Sequence, residues 1–109
     1  MEVKEEQLNG HPVIAPQGDV DLGNSKDLQY HLRQSLNKKP KQLVVDLGGV
    51  PYMDSSGVAT LVEAMQVSRR SGVSLVLCAM TPRVKSIFEI ARLDKVFRIV
   101  DSRDQITNA

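Results

Sequence analysis

The stretch that decides how this chain folds runs from Gln42 to Met65, QLVVDLGGVPYMDSSGVATLVEAM. It opens with a short apolar run containing β-branched residues, which reads as a buried strand. Gly48, Gly49 and Pro51 mark the end of that strand. Asp54 then stands where a helix N-cap belongs, because its carboxylate can accept first-turn amides and suits the positive end of the helix dipole. Val58, Leu61, Val62 and Met65 follow at helical spacing and predict one inner face. A strand, a turn and a helix in this order form half of a parallel crossover unit.

Working outward, the same alternation repeats. Gly72 closes the helix, and VSLVLCA predicts a second central strand. In TPRVKSIFEIARL, Thr81 is placed to cap and Pro82 to occupy the first helical position. Val84, Ile87, Phe88 and Ala91 make its expected inner stripe. VFRIV predicts a last short strand, and DSRDQITNA the start of a short final helix. Upstream, Asn9-Gly10 is a strong hairpin signal between residues 2–8 and 11–17. Pro12 and Pro16 lack amide donors, so the returning strand should be irregular or near an edge. GDVDLGN reads as a turn. Asn24 is expected to cap the next helix, with Asp27 in its first turn and Leu28, Leu32 and Leu36 as its stripe. Pro40 disfavours helix at Lys39 and ends it. The expected fold is α/β: one domain over residues 1–109, with a mixed, mostly parallel sheet of about five strands. It carries an N-terminal hairpin and three to four covering helices.

The totals narrow the function. The chain has 109 residues, 41% hydrophobic and 25% charged, with a net charge of +1 and a pI of about 7.9. That balance suits a folded globular domain and gives no general pull toward nucleic acid or a membrane surface. Trp is absent and aromatics are only 4%, which disfavours stacking platforms for single strands. A single cysteine, Cys78, excludes an internal disulfide and multi-cysteine metal cages, and its apolar neighbours predict a buried side chain. The N-terminus has no apolar h-region, and no run approaches the about 20 apolar residues needed to cross a bilayer. A cytoplasmic protein without membrane insertion is expected.

Catalytic patterns are missing. His11 and His31 have no sequence-near partner, and two histidines with one cysteine make a poor metal set. MDSSGV has Asp where a G-x-S-x-G elbow needs Gly, and no Gly-rich phosphate loop or G-K-[ST] occurs. The reading is a non-enzyme without cofactor or metal. The serines of DSSG remain. One hydroxyl suffices to start a helix, so a second could simply fill a tolerant first turn. However, these hydroxyls follow a buried parallel strand, at the carboxyl edge where sites of open α/β sheets gather. A phosphate there would be tolerated by its own helix and would add about −1.5 to −2 charges to the surface.

From about residue 10 to about residue 100 the chain resembles STAS domains, and among them the bacterial anti-sigma-factor antagonists. GDVD resembles the family's G-E-L-D turn. VVDLGGVPYMDSSGVATL resembles its strand, loop and D-S-[ST]-G helix start. GVSLVLCAMTPRVKSIFEIARLDKVFRI resembles its next strand, T/S-P-x-V-x-x-x-F helix and last strand. The resemblance implies a partner switch. Unphosphorylated, such a protein binds an anti-sigma factor that is also a serine kinase of the histidine-kinase-like ATPase fold. Phosphorylated, it lets go, and a metal-dependent serine phosphatase resets it. By position the resemblance makes Ser55 the phosphoacceptor. Asp21 is the acidic residue that lies beside it in family folds, and Asp54, Ser56 and Gly57 complete the partner-binding motif. It is expected to be a monomer when free.

The alternatives are a non-switching STAS subunit of a lipid-transport ABC system and a scaffold of a stress-signalling complex; Ser55 favours the switch. A response-regulator receiver is disfavoured, since HPVIAPQGD supplies no acidic pair at a strand end and Asp46 is the nearest phosphoacceptor candidate. Arg69, Arg70, Arg83, Lys85 and Arg92 read mainly as solubilising charges, with docking as their other use.

Overall fold

Alternating β-propensity runs and leucine stripes sort the chain into nine elements in a computed structural model that describes residues 1–106. The elements are β1 (Glu2–Leu8), β2 (His11–Gln17), α1 (Ser25–Asn37), β3 (Gln42–Asp46), α2 (Ser55–Ser71), β4 (Ser74–Cys78), α3 (Pro82–Ile90), β5 (Arg98–Val100) and a 3₁₀ turn, Arg103–Gln105. The five strands form one sheet in chain order. β1 and β2 are antiparallel, and every later pair is parallel.

The hairpin forms because Asn9 and Gly10 both take positive φ, 54° and 82°, as a tight two-residue turn matched to strand twist requires. β2 lies next to the edge strand, and its prolines explain the arrangement. Its ladder to β3 has only two register pairs, Val13–Val44 and Ile14–Val45, and neither proline belongs to it. β1 forms the outer edge, largely exposed and charged through Glu2, Lys4, Glu5 and Glu6, which discourages edge-to-edge pairing.

Strand alternation divides the sheet into two apolar faces, as expected for strands buried on both sides. Ile14, Leu43, Val45, Leu75 and Leu77 meet Leu28, Leu32 and Leu36 of α1, Leu61 and Met65 of α2, and Val84 and Phe88 of α3. Phe97 closes this core edge-on to Phe88, with ring centres 5.5 Å apart. On the opposite face, Val13, Val44, Val76 and Cys78 pack with Ile106. Arg103 holds that last segment down by donating to Asp46 at 2.7 Å and to Glu6 at 2.5 Å.

Some expectations are corrected. Asn24 occupies the cap position of α1, but its side chain does not cap. Its Oδ1 accepts from the Asp21 amide and its Nδ2 donates to the Asp19 carbonyl, so it braces the preceding loop instead. The inner face of α2 is Gly57, Thr60, Leu61, Ala64, Met65 and Ser68, while Val58 and Val62 flank it half-buried. Gly57 among them lets the helix start lie close to Met53 and Val20. Ala91 is exposed because α3 ends one residue earlier. The expected final helix is only the 3₁₀ turn, and the rest of DSRDQITNA, residues 107–109, lies outside the described residues. Thr81, Pro82 and Gly72 act as expected, Gly72 closing α2 at φ 73°.

Candidate functional site

Each parallel strand delivers a helix start to the same edge of the sheet. There the loop before α1 and the loop before α2 are zipped together. Val20 donates to the Tyr52 carbonyl and Asp54 donates to the Val20 carbonyl, both at 3.0 Å, making a parallel bridge between Val20 and Met53. Gly57 makes this closure possible. A Cβ at that position would lie 2.5 Å from Met53 Cγ and 2.9 Å from Val20 Cγ1.

Asp54 joins the two loops to α2. Its Oδ1 accepts from the Ser56 amide at 2.9 Å, the Ser56 hydroxyl at 2.5 Å and the Gly57 amide at 3.4 Å. Its Oδ2 accepts from the Leu22 amide at 3.2 Å. The Ser56 hydroxyl is the main cause holding the Asp54 carboxyl below its ordinary range. Partial burial opposes it, and the backbone amides of Ser56, Gly57 and Leu22 assist.

The two serines therefore do different work. Ser56 is half-buried, with its hydroxyl spent on Asp54. Ser55 is exposed, and its hydroxyl has no hydrogen-bond partner among the described residues. Asp21 is also exposed. Its carboxylate accepts from the Gly23 amide at 2.9 Å and its carbonyl from Ser25 at 2.8 Å. It reaches the site through the next residue, Leu22, whose amide is on Asp54. Gly57 lies buried beneath, so it shapes the motif without facing solvent.

Sequence reasoning missed two features of this edge. Leu22 is 81% exposed on a loop fixed by hydrogen bonds, and an isolated leucine in a polar turn carried no periodic signal. Arg83 stacks over the Tyr52 ring, 4.9 Å from its centre. Nothing in their spacing, 31 residues apart in the chain, announces that contact.

Elsewhere, Cys78 is fully buried; burial first, and the Asp46 carboxylate second, push its thiol up to about 11, with Arg103 opposing. Among the described residues no group of three or more His, Cys, Asp and Glu could hold a metal ion, and no helix is long and apolar enough to cross a membrane.

The family model of the STAS domain matches residues 2–106. The chain belongs to the STAS domain family. This STAS chain is 28% identical over 104 residues to BtrV of Bordetella bronchiseptica, a protein named for anti-sigma factor antagonism; the match spans 95% of this chain and 90% of BtrV. It is 30% identical over 99 residues to the anti-sigma-B factor antagonist of Listeria monocytogenes, spanning 91% of this chain and 86% of that protein. A solved structure of similar fold is an anti-sigma factor antagonist from Mycobacterium paratuberculosis. Its TM-score is 0.86 at 21% identity, covering 94% of this chain and 87% of that one.

Proposed function

We propose that this STAS domain is an anti-sigma-factor antagonist whose choice of partner is set by phosphorylation of Ser55. The observation that carries the reading is the division of labour in DSSG. Ser56 is locked into the Asp54 cap, while Ser55 presents a free hydroxyl on a rigid helix start. The names of the BtrV and Listeria relatives support the same role.

The unmodified protein binds an anti-sigma factor that is a serine kinase of the histidine-kinase-like ATPase fold. Phosphate on Ser55 would add about −1.5 to −2 charges beside Asp54 and near Asp21. A partner surface that buries this patch then faces unpaired like charges, which costs several kcal/mol. Since about 1.4 kcal/mol is tenfold in affinity, one phosphate is enough to reverse partner choice. A metal-dependent serine phosphatase resets the switch. The protein acts in the cytoplasm, as a monomer when free and as a single domain over residues 1–109.

The test is co-purification from native cells with wild-type and Ser55→Asp baits, combined with phosphopeptide mapping. Wild type should retain an ATPase of that fold, Ser55→Asp should lose it, and the phosphate should map to Ser55. Equal recovery of the same partners by both baits would refute the switch. It would fit instead a constitutive scaffold or a subunit of a lipid-transport system.

A further inference from the structure

Among the cations that read as solubilising, Arg83 is placed differently. It is the second residue of α3, in the turn capped by Thr81. The Thr81 hydroxyl donates to the Val50 carbonyl at 3.1 Å, tying the start of α3 to the loop that enters α2. Two residues beyond each of these anchors, the Arg83 guanidinium lies on the Tyr52 ring, 4.9 Å from its centre, and both side chains reach solvent. Tyr52 stands three residues before Ser55. Among the described residues Arg83 has no carboxylate partner.

A phosphate on Ser55 would meet a particular set of neighbours. The amides of Ser56 and Gly57, which a helix start usually offers to an anion, are already taken by the Asp54 carboxylate. The nearby loop contributes Asp19 and Asp21, both exposed. The first turn of α1 contributes Lys26 to the same sheet edge. With acidic neighbours, and with the Ser56 and Gly57 amides already bonded, the Arg83 guanidinium, which has no carboxylate partner among the described residues, is left to decide where the phosphate settles. An exposed cation–π contact is weak, whereas a guanidinium–phosphate pair is charge-assisted and can be bidentate.

The geometry points to Arg83 as the internal partner of a phosphate on Ser55: the guanidinium rests on Tyr52 in the unmodified protein and moves to the phosphate after modification. This rests on Ser55 as the phosphoacceptor. The modification then changes two things at once. It adds negative charge, and it strips the cation from the Tyr52 ring, so a partner meets a different surface as well as a different charge.

The test uses the full chain with phosphoserine incorporated at position 55, followed by phosphorus NMR across pH, with circular dichroism to confirm folding. Arg83→Gln should raise the second pKa of the phosphate by about half a unit relative to the otherwise unchanged chain. Arg83→Lys should raise it less, because it keeps the charge and loses the fork. Lys26→Gln should leave it in place. No change with Arg83→Gln, or an equal change with Lys26→Gln, overturns the assignment. Because the phosphate is installed without a kinase, this outcome is independent of the co-purification result that tests the partner switch itself.

Discussion

Gly57→Ala is the sharpest perturbation of the site that leaves every polar group in place. Two opposing effects can be weighed. Alanine is favoured over glycine within a helix by at most about 1 kcal/mol. Against this, the new Cβ would lie 2.5 Å from Met53 Cγ, 2.9 Å from Val20 Cγ1 and 3.2 Å from Met53 Sδ. Both neighbours are fully buried, and the Met53 carbon is near the base of its side chain, so neither can swing away freely. Overpacking of this kind costs about 1–3 kcal/mol. The clash should win by about 1–2 kcal/mol, which lowers the melting temperature by roughly 5–10 °C in a domain of this size. Thermal and urea unfolding should show a lower midpoint with an unchanged urea slope, as a change in stability alone requires. Adding Met53→Ala should relieve part of the clash, giving a favourable coupling of at least about 0.5 kcal/mol in a double-mutant cycle. A Gly57→Ala protein as stable as wild type, or strictly additive costs, would refute the close-approach argument.

Two further outcomes follow from the ionisable groups. The Asp54 carboxyl is held low in the folded chain, so its stabilising contribution is present above the unfolded value near 3.8 and is lost as pH falls through the depressed folded value. Melting curves between pH 5 and pH 2 should therefore fall less steeply for Asp54→Asn than for wild type. The Cys78 thiol, buried and raised to about 11, should resist a thiol reagent at neutral pH in the folded protein and react fully in denaturant; fast native labelling would contradict its burial.

Local signals predicted most of the architecture because each depends on a few adjacent residues. Asn9-Gly10, the Thr81-Pro82 pair, Gly72 and the leucines of α1 all specify their element without distant help. Asp54 also belongs here, as its cap bonds fall within three residues. Asn24 was misread because its side chain had a longer-range choice: it satisfies the 19–21 loop instead of its own helix. Ala91 failed because periodicity cannot say where a helix stops. At the site, the serine pair was legible, but the division between its hydroxyls was not. That division depends on which side of the helix start faces Asp54. Leu22 lies in a loop, where sequence carries no period, and the Arg83–Tyr52 stack joins the start of α3 to a loop residue 31 positions away, which no local pattern reports. Periodicity of the larger apolar residues predicts only part of the face of α2: Leu61 and Met65 are buried, but so are the smaller Gly57, Thr60 and Ala64, which carry no apolar signal strong enough to mark the face.

The Arg103 clasp has a consequence for the order in which the chain is assembled. Glu6 and Arg103 are separated by 97 residues, the widest span of any ion pair among the described residues. Closing so long a loop in an unstructured chain is entropically unfavourable, so the pair gains its hold only after the intervening strands have brought its ends together. The opening hairpin, by contrast, pairs residues 2–8 with 11–17 and needs no distant partner to close. The valine face of the sheet is therefore covered only once Ile106 has docked on it, and any state in which that segment is undocked exposes Val13, Val44 and Val76 to wrong partners.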